Sequence, residues 1–272
     1  MRAIPAPMRR LLRAMRKDVE CELPESTELF LRDEFGTLFP VSLEKVLHTC
    51  RSGMSSDSVP WMCLLELLEL GRSRRAVDVG ACVGQVSVFL SKSHDEVVAI
   101  EPTSENYRVL QDTLLMNGAG NVRTIRCALS SERGLAQMHL LEGRGHHSLG
   151  PVRTSGEVGV ERVEVSTLDE IVAEPIDLLK VDVEGFEMEV LRGSTRVLGL
   201  RIPIIVLEVS VGPSADLGRD PWEAVDFLAT LGYSCVRADG KPLKAPVQHV
   251  DVVAFLDSRL AERAKRLLAQ SV

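Results

Sequence analysis

The chain has no excess of basic charge: 32 lysines and arginines stand against 39 aspartates and glutamates, a formal net charge of −7. A basic field is what holds phosphate backbones, so no nucleic-acid partner is expected. There is no long apolar run, so no membrane-spanning helix and no stable membrane insertion are expected. The first residues also lack the apolar stretch of a secretory leader. The six cysteines, Cys21, Cys50, Cys63, Cys82, Cys127 and Cys235, form no CxxC pair and no zinc-finger spacing. Such scattered thiols read as free groups in a reducing compartment, and a cytoplasmic location is expected. No glycine loop ends in the Gly-Lys-Ser/Thr of a P-loop.

What is present is ordinary for a soluble globular protein: 45% apolar, 26% charged and 4% aromatic residues. The 272 residues suit one large α/β domain with a small cap. Residues 1–60 are read as a cap of lead-in helices and residues 61–272 as the main domain. Near the start, Arg2, Arg9, Arg10, Arg13, Arg16 and Lys17 crowd together. Met8, Leu11, Leu12 and Met15 fall on one helical face beside them. Such a helix can lie on an anionic membrane, but packing on the main domain or on a second subunit is favoured. With a second amphipathic helix predicted from Ser258, a homodimer is possible.

From Trp61 the chain reads as a buried helix ended by Gly71, and then strands and helices alternate. Apolar strands are predicted at Ala76–Val79, Val97–Ile100, Val122–Cys127, Ile176–Val183 and Ile202–Val209, with two more at Ser234–Val236 and Val250–Leu256. Residues 135–141 and 158–165 read as two extended segments inserted before the fourth strand. Thr167-Leu168-Asp169-Glu170 reads as a capping box, and Asp220-Pro221 as a helix start with proline in the first turn. Near-continuous apolar strands separated by helices predict a Rossmann-like parallel sheet with helices on both faces. Ligands in such sheets bind at the carboxyl ends of the strands.

The loop after the first strand, Val77-Asp78-Val79-Gly80-Ala81-Cys82-Val83-Gly84, lies at such an end. Glycine there lets the backbone come close to a ligand. Glu101 ends the next strand, where a carboxylate can accept hydrogen bonds from ribose hydroxyls. The dinucleotide fingerprint needs a third glycine that is missing here. Asp78 would repel a pyrophosphate and attract the sulfonium and ammonium of S-adenosylmethionine (SAM). SAM is therefore favoured over a nicotinamide cofactor.

A second stretch carries a more specific resemblance. Ile176-Asp177-Leu178-Leu179-Lys180-Val181-Asp182-Val183-Glu184-Gly185, followed by a helix ending Leu191-Arg192-Gly193, is similar to the signature of the FkbM-type SAM-dependent methyltransferases. The likeness runs from about residue 75 to about 210. It implies the seven-stranded methyltransferase sheet and methyl transfer, usually to a hydroxyl oxygen. It also implies a SAM site made by Asp78, Gly80, Ala81, Gly84 and Glu101, with Ala128-Leu129-Ser130 beside the adenine. Cys82 and Pro102, beside these positions, and Asp182, at the end of a predicted central strand, are added to that site. The family usually has asparagine where this chain has Cys82.

For the chemistry, a hydroxyl is a poor nucleophile, so a general base near the methyl is expected. Asp182 and Glu184 share a face if the chain stays extended. Glu184 is the first candidate base, with a helix-capping role as its plain alternative. Glu208 is a further catalytic candidate, with a structural role as a strand acid paired to Lys180 or a backbone amide as its alternative. His146 and His147, in a glycine-rich loop beside Ser148, could supply a base near neutral pH, and His147 is the one retained. A divalent ion held by the carboxylates and a histidine is an alternative, but sulfonium chemistry does not require one and no metal is expected. The predicted function is O-methylation of a small-molecule hydroxyl, on a sugar or a natural-product intermediate. N-methylation and a non-catalytic binding subunit are the alternatives.

Overall fold

The computed structural model describes residues 29–32, 38–41, 61–62, 64–65, 68, 70–141, 149, 157–245 and 247–270. The predicted basic helix near the start and the histidine pair His146–His147 lie outside these residues. Within residues 1–60, read as a cap of lead-in helices, the described part holds β1 (Leu29–Arg32) and β2 (Leu38–Val41), paired antiparallel.

The central sheet has seven strands. These are β3 (Ser73–Val79), β4 (His94–Ile100), β5 (Val122–Ile125), β9 (Leu178–Val181), β10 (Ile204–Ser210), β11 (Ser234–Arg237) and β12 (His249–Phe255), in the order β11-β12-β10-β9-β3-β4-β5. From β10 to β5 neighbours run parallel, while β12 is antiparallel to both β10 and β11. Successive residues of a strand face opposite sides. On β3, Val77 and Val79 join one apolar layer, with Leu179, Val181 and Ile205. Ala76 joins the other, with Leu178, Ile204 and Trp61. Both faces are covered, which is why these strands are apolar throughout rather than alternating.

Helix α1 (Gln85–Ser91) follows β3, and α2 (Ser104–Met116) follows β4. A small sheet of β6 (Ala128–Leu129), β7 (Gly134–Leu141) and β8 (Glu157–Ser166), in the order β6-β8-β7, interrupts the alternation before β9. This is the predicted insertion. Short helices α3 (Leu168–Ile171), α4 (Glu187–Arg192), α5 (Thr195–Gly199), α6 (Val211–Asp216) and α7 (Glu223–Thr230) follow, and α8 (Ser258–Gln270) is the last element.

Several boundaries differ from the sequence reading. The fourth parallel strand is four residues long, not eight. At its start the Asp177 carboxylate accepts the backbone N–H groups of Arg74 and Arg75. The third strand stops at Ile125, and Ala128–Leu129 belong to the small sheet. Helix α7 begins at Glu223, because Asp220 accepts the N–H of Trp222 and holds Pro221 in the lead-in turn. Thr167 caps α3 by accepting from Glu170 N, but Glu170 turns its own carboxylate to the Ser166 hydroxyl and does not close the box. Among the described residues no helix is long and apolar enough to cross a membrane.

Candidate functional site

The carboxyl ends of β3, β4 and β9 meet around one cleft that is open to solvent. The loop after β3 forms one wall. Gly80 N and Ala81 N both donate to Ile100 O at 3.0 Å, and Gly84 N donates to Ala81 O, so the chain turns sharply into α1. Cys82 sits in the left-handed region at φ 49. Its N–H donates to the Glu101 carboxylate at 3.0 Å.

Glu101 is buried. Besides Cys82 N it accepts the N–H and the hydroxyl of Thr103, at 3.0 and 2.7 Å. Burial raises its pKa, and the bonds from Thr103, Cys82 and Asn106 pull against that rise. Thr103 donates twice, Cys82 once and Asn106 once, so four donors share the two carboxylate oxygens.

The opposite wall comes from the chain leaving β9. Here Glu184 adopts φ 51 and Gly185 φ 92. Asp182 and Glu184 therefore meet through a tight turn and not, as the sequence reading had it, through strand alternation. The carboxylate of Glu187, in the first turn of α4, receives the N–H groups of Val183 and Gly185 and holds this turn. Single carboxylate oxygens of Asp182, Glu184 and Glu208 all lie within 4.8 Å of one another.

Lys180 is the cation beside this group. Its Nζ stands 3.0 Å from Asp182, 3.5 Å from Asp78 and 3.1 Å from the Gly80 carbonyl oxygen, to which it donates. Burial opposes its charge, but the Asp182 and Asp78 carboxylates outweigh this and hold the ammonium above its ordinary range. Glu208 sits on β10 beside β9. Burial first, then the charges of Asp182 and Glu184, push its carboxyl up to about 10, against the bond from the Ser210 hydroxyl.

Of the residues named from sequence, Gly80, Cys82, Glu101, Pro102, Ala128, Leu129, Asp182 and Glu184 line the cleft. Asp78, Ala81, Gly84 and Glu208 are not in its lining. Asp78 is fully buried and accepts from the Ser87 hydroxyl of α1 at 2.6 Å, so it supports Lys180 and the loop from behind. Gly84 is the N-cap of α1. Glu208 reaches Asp182 and Glu184 from outside the cleft wall and bonds Ser210, not a backbone amide. His147 lies outside the described residues.

Seven cleft residues were not named as site residues from sequence: Val79, Ile100, Asn106, Cys127, Met138, Leu149 and Val183. Asn106 had a signal, being a buried polar residue one turn into the helix after Glu101. Met138 and Leu149 come from the insertion, which has no motif of its own.

A family model for the methyltransferase FkbM domain matches residues 78–235. The methyltransferase sdnD of Sordaria araneosa is 32% identical over 152 residues, 43% of this chain and 59% of that protein. The chain thus spans under two thirds of that curated relative. A solved FkbM methyltransferase from Methylobacillus flagellatus KT superposes with a TM-score of 0.51 at 18% identity, over 77% of this chain and 52% of that one. TYW2 of M. jannaschii, solved in complex with AdoMet, gives a TM-score of 0.47 at 18% identity, over 88% of this chain and 90% of that one.

Proposed function

The chain belongs to the FkbM methyltransferase family, and from that premise we propose that it moves the methyl group of SAM to a hydroxyl oxygen of a small molecule, a sugar or a natural-product intermediate. The observation that carries this reading is the pairing of walls in the cleft. One wall offers the Glu101 carboxylate, suited to a ribose diol. The other offers Asp182 and Glu184, with Glu208 behind them, suited to a cation.

The cleft residues fit the cofactor chemically. Ile100, Leu129, Met138 and Leu149 supply apolar surface for a flat ring. Gly80 lets the backbone run close to the ligand. Bound there, SAM supplies an electrophilic methyl on a sulfonium. The chain's own work is to align the acceptor and take its proton. Glu184, buried and held in a fixed turn, orients the acceptor hydroxyl, and the carboxylate group receives its proton. An oxygen acceptor needs that help more than an amine already free of its proton, which favours O- over N-methylation and over a non-catalytic subunit. The reading calls for no metal and no nucleic acid, and it places the enzyme in the cytoplasm, where it works alone or as a homodimer.

Calorimetric titration with S-adenosylhomocysteine tests the cofactor site. Saturable binding is expected, weakened at least about tenfold by Glu101→Ala, the loss of more than one hydrogen bond to a charged group. Unchanged binding in that variant would sink the site. Incubation with methyl-labelled SAM and a metabolite extract, read by mass spectrometry, tests the acceptor class: the label is expected on oxygen.

A further inference from the structure

Ser210 and His249 are directly opposite each other across β10 and β12. Glu208 and Ser210, two residues apart on one strand, share a face. Ser210 Oγ lies 2.6 Å from Glu208 Oε2 and 2.9 Å from His249 Nδ1. Ser210 is 1% exposed, while the His249 side of this chain of contacts opens to solvent. A partly buried acid is thus joined through one sealed hydroxyl to a surface imidazole.

We propose that the single Ser210 hydrogen ties the protonation of Glu208 to the tautomer of His249, which makes Ser210 and His249 a path for proton exchange with solvent. The use of this path in catalysis rests on the methyl-transfer reading above; its existence does not. A hydroxyl has one hydrogen to give. When Glu208 is protonated it donates to Ser210 Oγ, and Ser210 donates to Nδ1, so neutral His249 carries its hydrogen on Nε2. When Glu208 is ionised it must receive the Ser210 hydrogen. Ser210 then accepts from His249, whose hydrogen moves to Nδ1.

The charges around Glu208 come from three sides. Asp182 and Glu184 follow β9, Lys180 lies on it, and Asp251 lies opposite on β12. The acids favour the protonated form, and Lys180 opposes them. A cation entering the cleft favours ionisation. The proton given up by an acceptor hydroxyl to the Glu184 carboxylate would pass to Glu208, then from Oε2 to Ser210 Oγ as the Ser210 hydrogen passes to Nδ1, and from Nε2 to water. Ser210 and His249 act through Glu208 and are positioning residues in this scheme.

The test follows the two ring nitrogens of His249 by long-range 1H–15N correlation on the full chain, from pH 6 to 11. Wild type is expected to show a switch of the neutral ring from the Nε2–H to the Nδ1–H tautomer as the pH rises. Glu208→Gln and Ser210→Ala are expected to abolish the switch, and Ser210→Thr to keep it. Sinefungin carries an amine where SAM carries its methylsulfonium. It is expected to move the switch down by about one pH unit or more, an interaction of a size common for neighbouring charges. S-adenosylhomocysteine, without that charge, is expected to leave it in place. A wild-type tautomer that stays constant through the range, or a switch that survives Ser210→Ala, would overturn the proposal. Failure of both ligands to bind while the switch persists would instead overturn the cofactor reading.

Discussion

A β-carbon on Gly80 would stand 1.8 Å from the carbonyl oxygen of Asp182. The two motifs recognised in the chain, a hundred residues apart, touch there through bare backbone. Gly80 also holds φ 76, where a side chain is strained.

Gly80→Ala is therefore expected to move the two walls of the cleft apart. The cost should be at least about 2 kcal/mol of stability, as for other steric insertions at a special backbone position. S-adenosylhomocysteine binding should be lost as well. Urea unfolding and calorimetry read both effects. An alanine variant with wild-type stability and binding would remove the contact from the account.

Lys180 compensates two carboxylates at once. Lys180→Met would leave Asp78, which is 0% exposed, without its cation. Removing one partner of a buried pair typically costs about 3–5 kcal/mol. Lys180→Met combined with Asp78→Asn should recover part of that loss, because the stranded charge is gone. Denaturant midpoints of the two variants decide it, and equal midpoints would show that Asp78 is compensated some other way.

Glu187 gives the fold a pH dependence. Burial pushes its carboxyl from 4.5 up to about 7, against the bonds from Val183 and Gly185. The folded state thus holds this proton more tightly than the unfolded chain. Its contribution to stability is complete below about 4.5 and is lost as the pH rises through about 7. Glu187→Gln keeps an oxygen for both N–H groups and never ionises. At pH 8 it should be more stable than wild type by about 1–3 kcal/mol, with the difference fading toward pH 5. Thermal melts across pH 5–8 would refute this if the two proteins run parallel.

Cys82 occupies φ 49, a conformation that asparagine tolerates better than other side chains. The asparagine usual in the family thus suits the backbone of this turn. Cys82→Asn should stabilise the chain by about 0.5–1 kcal/mol, the order of the strain it relieves. The Cys82 N–H bond to Glu101 belongs to the backbone and should survive, leaving S-adenosylhomocysteine affinity near the wild-type value. A lower melting temperature would show that the thiol packs too well to replace.

The parallel sheet was legible because its strands are apolar on both faces, a pattern that needs no partner to be seen. The Gly80 loop and Glu101 were legible for a similar reason: each depends on residues close in sequence at a strand end. The capping box at Thr167 shows the limit, since a distant neighbour was not needed to break it, only the nearer hydroxyl of Ser166. The start of α7 was misread because Asp220 makes a bond that no periodicity records.

Residue types and their local spacing determined the fold class, the place of the glycine loop at the cleft and the family. What tertiary structure alone decided is which of the acids face the cleft. Asp78 reads from sequence as the acid nearest the ligand, yet it turns to Ser87 and Lys180. Glu184 enters the cleft through a left-handed turn rather than strand alternation, and Glu208 gains Ser210 and His249 across an antiparallel strand. Each of these depends on side chains brought from separate strands into low-dielectric surroundings, where a charge must find a partner, and a linear pattern cannot say which partner will be within reach.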